Sequence, residues 1–79
     1  MAEQQTEAFK AFSLGQGQVE LQSDEPVQCV MLSLHGRVLF EGALEAGRHT
    51  VSLGHTGWAA VRLMTSAGTV WTERIWINA

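Results

Sequence analysis

Hydrophobic residues in this chain arrive in short bursts separated by glycine-bearing breaks. Six runs hold most of the β-branched and aromatic residues: VELQ, VQCVMLSL, RVLFEG, HTVSL, WAAVRLMT and TVWTERIWIN. Within most of them apolar and polar positions alternate with period two, the repeat of a strand whose successive side chains point to opposite faces. In the last run Trp71, Glu73, Ile75 and Ile77 share one side, while Val70, Thr72, Arg74 and Trp76 share the other. The two isoleucines mark the first side as the buried one. The preceding run repeats the logic, with Ala59, Val61 and Leu63 turned inward, Arg62 and Met64 outward, and Trp58 at the edge. Eight glycines, at 15, 17, 36, 42, 47, 54, 57 and 68, leave no uninterrupted stretch suited to a long helix.

Corners follow from this spacing. TSAGTV joins the last two runs through Gly68, so Trp58–Thr65 and Thr69–Ile77 are predicted to form a hairpin. VQCVMLSL and RVLFEG are separated only by His35-Gly36, a corner that needs positive φ at one or both central residues. Gly36 supplies it, and His is among the few other residues enriched there, so His35 and Gly36 are expected to be turn-forming. GQG, Gly15–Gly17, reads as another turn, too short to cradle a phosphate and followed by no helix start. Residues 1–10 are polar and rich in Gln and Glu, and are expected to be a linker or disordered leader to a folded domain spanning 11–79. About seven strands with turns at short intervals predict an all-β domain of two antiparallel sheets packed face to face. A barrel is the lesser alternative.

Composition narrows what such a domain does. At 79 residues the chain has room for one domain, and 46% hydrophobic residues suffice for one core. A domain of this size buries only roughly 60% of the surface its unfolded chain exposes, so each apolar contact must be well placed. Five basic against eight acidic residues give a net charge of −3, which argues against nucleic acid or anionic lipid as a partner. The single cysteine, Cys29, excludes an internal disulfide and a cysteine-based zinc site. No run approaches the roughly eighteen apolar residues of a membrane span. MAEQQTEAFK lacks the basic start and apolar stretch of a signal peptide, so for an exported protein that signal is expected to lie elsewhere or to have been cut away.

Candidate chemistry is sparse. His35 belongs to a turn, and His49 and His55 bracket TVSL at a spacing that fits no common zinc pattern. Glu41 and Glu45 flank a loop, and Asp24-Glu25 precede Pro26 in a solvated turn. No metal, no cofactor and no catalytic residue is expected, because no nucleophile, base and orienting group are assembled. Cys29 lies in an apolar strand with nothing to lower its pKa, and reads as a packed thiol or one lying on the sheet face. The tryptophans are the one suggestive constellation. Trp71 and Trp76 fall on opposite faces of one strand and cannot both belong to a single core. Exposed indoles on a sandwich can stack on sugar rings or anchor a protein partner, which gives one reading of the chain as an accessory binding module.

A second reading comes from the order of motifs. An apolar strand, a tight corner with Gly36 and Arg37, a second apolar strand, GWAAVRL, a glycine turn and a terminal TERIWI succeed one another between Val27 and Ile77. This order resembles the C-terminal sorting domain of the type IX secretion system, found on exported proteins of Bacteroidetes-type bacteria. The matched positions are Gly36 and Arg37 in the corner, Gly57, Val61, Arg62 and Leu63 in the next strand, and Thr72, Arg74, Ile75 and Ile77 in the last. The chain departs from the family in having Pro26 as its only proline, Arg74 where lysine is usual, and Trp58 with Ala59 in place of a tyrosine.

The resemblance implies an immunoglobulin-like β-sandwich that catalyses no reaction. It implies export through the periplasm to the outer membrane or cell surface, on recognition by secretion-system proteins: translocon, shuttle and sortase. In most members the sortase cuts ahead of the domain and joins the parent protein to lipopolysaccharide. The recognition residues it points to are Gly57, Arg62, Gly68, Arg74, Ile75 and Ile77, with the glycines setting turns and the arginines offering charge. Main-chain pairing at a strand edge would suit such recognition, and unpaired edges also leave a homodimer open.

Overall fold

The computed structural model describes residues 8–78. Seven strands follow one another: β1 (Phe9–Gly15), β2 (Gln18–Ser23), β3 (Val27–Ser33), β4 (Val38–Leu44), β5 (Gly47–Ser52), β6 (Gly57–Thr65) and β7 (Val70–Ile77). All pairings are antiparallel, in a three-stranded sheet ordered β1-β2-β5 and a four-stranded sheet ordered β4-β3-β6-β7. The protein is an immunoglobulin-like β-sandwich. Its fourth strand pairs with the third, whereas in constant-type immunoglobulin domains the fourth strand pairs with the fifth.

The core lies between the sheets and draws most heavily on their inner strands. Val19 and Leu21 of β2 meet Val27, Cys29 and Met31 of β3, Ala59, Val61 and Leu63 of β6, and Ile75 and Ile77 of β7. Central strands have neighbours on both sides, so their inward side chains are sealed. The edge strands β4 and β5 contribute only partly buried residues such as Phe40, Leu44 and Val51. The period-two reading of β6 matches this arrangement residue by residue; in β7 Ile75 and Ile77 are buried and Trp71 half-buried as expected, while Glu73 on the same side is exposed, and the expected hairpin forms with bounds one residue different.

Both hairpins of the four-stranded sheet close in one way. Ser33 N donates to Arg37 O at 2.9 Å and Gly36 N to Ser33 O at 3.0 Å; Thr65 N donates to Thr69 O and Gly68 N to Thr65 O at the same two distances. Each loop thus has three residues, with glycine last at φ +83° (Gly36) or +93° (Gly68). The hydroxyl that opens each loop accepts from the backbone across it: Ser33 Oγ from Arg37 N at 3.1 Å, Thr65 Oγ1 from Thr69 N at 3.1 Å. This corrects the expected two-residue corner at His35-Gly36. Gly36 alone takes positive φ, and His35 occupies the ordinary turn position before it. The two-residue turn is Gln16-Gly17, where both residues have positive φ, at +56° and +73°.

The expected leader also needs correction. Phe9 and Lys10, placed in it by their polar surroundings, belong to β1, because Phe9 is 8% exposed and packs on Trp71 with ring centroids 5.9 Å apart. Residues 1–7 lie outside the described part. Phe9 and Trp71 join the two sheets along the side where β1 lies next to β7. There Gly17 N donates to Asn78 O at 2.8 Å and Asn78 N to Ser13 Oγ at 3.3 Å, tying the first hairpin to the end of the last strand.

Candidate functional site

The β6–β7 hairpin carries most of the sequence-predicted site residues, and its outward face holds the two arginines, Arg62 and Arg74, beside Trp58 and Trp76. Register decides who meets whom. Positions equidistant from the Ser66–Gly68 loop face each other, which pairs Trp58 with Trp76, Ala60 with Arg74, Arg62 with Thr72 and Met64 with Val70. Trp58 and Trp76 therefore sit side by side on adjacent strands, 45% and 51% exposed, with ring centroids 5.4 Å apart and planes at 77°. This edge-to-face geometry sets the positive edge of one indole against the negative face of the other. Arg74 faces the small Ala60, which leaves its side chain free to lean along the strand, and its guanidinium carbon lies 5.7 Å from the centre of the Trp58 ring.

The remaining predicted residues divide by burial. Arg62 stands exposed between Val30 of β3 and Thr72 of β7. Gly57 opens β6 at φ +109° opposite Ile77, and Gly68 closes the hairpin loop. Ile75 and Ile77 point the other way and are core residues, 7% and 0% exposed, so their side chains position the hairpin without touching a partner. Their β7 is the outer strand of its sheet, and among the described residues no strand pairs with its outer edge. His35 and Gly36 lie in the β3–β4 loop, as described above.

Trp71 is half-buried against Phe9, while Trp76 is exposed, which is the split that opposite strand faces require. Sequence reasoning missed the direct pairing of Trp58 with Trp76 and the approach of Arg74. The signal was present in the loop: centring the hairpin on Ala67 is enough to pair them.

The other candidates stay apart. His49 Nε2 contacts the Glu45 carbonyl at 2.8 Å and His55 Nε2 the Trp58 carbonyl at 3.4 Å, both within their own segments. Among the described residues no three of His, Cys, Asp and Glu come together as a ligand set would. Cys29 is fully enclosed in the core, and burial pushes its thiol up from 9.0 to about 11. At neutral pH it is the protonated thiol, a small apolar group with no nucleophilic character. A groove of about 390 Å³ opens at the far end of the four-stranded sheet, lined by Pro26, Val27, Leu44, Glu45, Met64 and Thr65. No family model matches the chain, and no curated protein matches it.

Proposed function

We propose that this protein is a non-catalytic targeting domain, read by type IX secretion machinery to carry a parent protein across the outer membrane to the cell surface. The observation that carries the reading is the closing hairpin. It combines glycine corners at Gly57 and Gly68, exposed arginines at 62 and 74, and an outer strand whose far edge no described strand pairs with, in the order of motifs that the sorting family uses. A strand edge gives main-chain pairing, and alternate side chains give selectivity, so recognition needs no active site. Ile75 and Ile77 serve by holding β7 in place from the core side.

The core position of those isoleucines decides how the proposal is tested. Removing 74–79 would strip the core as well as the signal, so loss of delivery after that deletion would not separate recognition from folding. The informative variants are Arg62→Gln and Arg74→Gln, whose side chains are exposed. The chain is fused behind a periplasm-directed reporter in a bacterium with a type IX system, and surface and periplasmic reporter are compared. Delivery by the wild-type fusion, with reporter retained in the periplasm when both arginines are replaced, supports the proposal. A wild-type fusion that stays in the periplasm, or a doubly substituted one that reaches the surface undiminished, refutes it.

A further inference from the structure

The aromatic and cationic residues on the outer face of β6 and β7 do more than present a signal. Arg62 and Arg74 sit diagonally across the two strands, flanked by Ala60 and Thr72, and both are exposed. Among the described residues the one ion pair is Arg48–Glu20, on the other sheet, so neither of these arginines is neutralised. Glu41, in the same row as Arg62, is two strands away across Val30, a distance of about 10 Å at ordinary strand spacing. Both guanidiniums are therefore open to an anion, which charge-assisted hydrogen bonds would hold.

Beside them lies an aromatic step. One face of Trp58 looks toward the Arg74 guanidinium and its ring meets Trp76, which leaves the half-exposed Trp76 as an apolar platform about one ring in size. A pyranose ring has an apolar C–H face of that size, and a planar carboxylate fits the guanidinium fork in a bidentate manner. We propose that this face binds an acidic saccharide of the uronate class, with a sugar ring stacked on Trp76 and its carboxylate held by Arg74 and Arg62.

Charge selects this occupant over others. A second copy docked face to face would bury four guanidiniums without a counter-charge, which is costly. Single-stranded nucleic acid is held by a basic groove along its backbone, and this chain has a net charge of −3 with two arginines at the site. The saccharide site stands independently of the targeting proposal, because binding is measured on the isolated 79-residue chain with no secretion machinery present.

The test is calorimetric titration of the chain with oligogalacturonate, beside a neutral galacto-oligosaccharide, polyglutamate, oligothymidylate and anionic lipid vesicles. Oligogalacturonate is expected to bind, and the other four to bind at least about tenfold more weakly. Trp76→Ala and Arg74→Gln are each expected to weaken oligogalacturonate binding by about tenfold, and Arg74→Lys, which keeps the charge without the fork, by about threefold. Thermal unfolding checks each variant, and Trp76→Phe, with a smaller platform, replaces Trp76→Ala if the latter does not fold. Absence of oligogalacturonate binding, equal binding of any comparator, or tryptophan and arginine variants that bind like wild type would overturn the proposal. So would self-association of the free chain that Arg74→Gln strengthens and that excludes the sugar.

Discussion

Cys29 and Gln16 are the two residues whose surroundings most change what their type would do in water. Burial raises the Cys29 thiol from 9.0 to about 11, which means the folded state holds its proton where the unfolded chain has released it. The unfolded state therefore binds fewer protons between those values, and stability falls as pH rises through that interval; below pH 9 the thiol's contribution is intact. Urea unfolding followed from pH 8 to pH 11 is expected to show a steeper loss for wild type than for Cys29→Val, which has no proton to lose. At pH 8, Cys29 is expected to react with a thiol reagent only after denaturant is added. Gln16 holds positive φ without the freedom of glycine, a conformation that costs an L-residue roughly 1–2 kcal/mol. Gln16→Gly and Gln16→Asn are expected to raise stability by up to about 1 kcal/mol, read from the urea midpoint, because both residues suit this kind of turn. The thiol's packed setting was legible in the apolar run around it. The strain at Gln16 was not, since only the pairing of Gly15 with Gln18 shows that the turn has two residues.

Hairpins are the elements in which local sequence speaks most directly. Ser33-Leu-His-Gly-Arg37 and Thr65-Ser-Ala-Gly-Thr69 close with one pattern of hydrogen bonds, and each needs a hydroxyl at the start and a left-handed residue at the fourth place. Gly36→Ala and Gly68→Ala are each expected to cost about 1–2 kcal/mol. Added bulk is not the cause, because a Cβ at either glycine meets nothing within 4 Å; the backbone angle alone carries the penalty. The mismatch at His35 has the same origin. A two-residue corner and a three-residue loop differ by one backbone pair, and it is the Ser33–Arg37 hydrogen bond that selects the longer loop. The first strand escaped the reading of runs because its inward positions, Phe9, Ala11, Ser13 and Gly15, fade from large to small and leave Phe12 and Leu14 on the solvent side. Burial there is supplied by Trp71, which is 62 positions away from Phe9 in the chain.

At the scale of the molecule, stability rests on a few side chains shared by both sheets. Leu63 and Leu21 are enclosed between them, and Leu63→Ala is expected to cost about 2–5 kcal/mol, a large part of what so small a domain has to lose. Chemical denaturation of that variant should show a lowered midpoint with an unchanged cooperative transition. Ser13→Ala removes the acceptor of the Asn78 N–H, which is partly open to water, and is expected to cost less than about 1 kcal/mol by the same measurement. Alternation along the chain was enough to assign strands β2 to β7, the buried faces of β6 and β7 and the closing hairpin, because period two and glycine corners are properties of neighbouring residues. The division of seven strands into β1-β2-β5 and β4-β3-β6-β7 came from packing over long separations, which no local pattern encodes. The same holds for the candidate site. The sequence placed Arg62, Arg74 and Trp76 on outward positions and Trp58 at a strand edge, each by itself, but side-chain approach across two strands, with Ala60 leaving the space, is what sets Arg74 over one indole and the second indole against it.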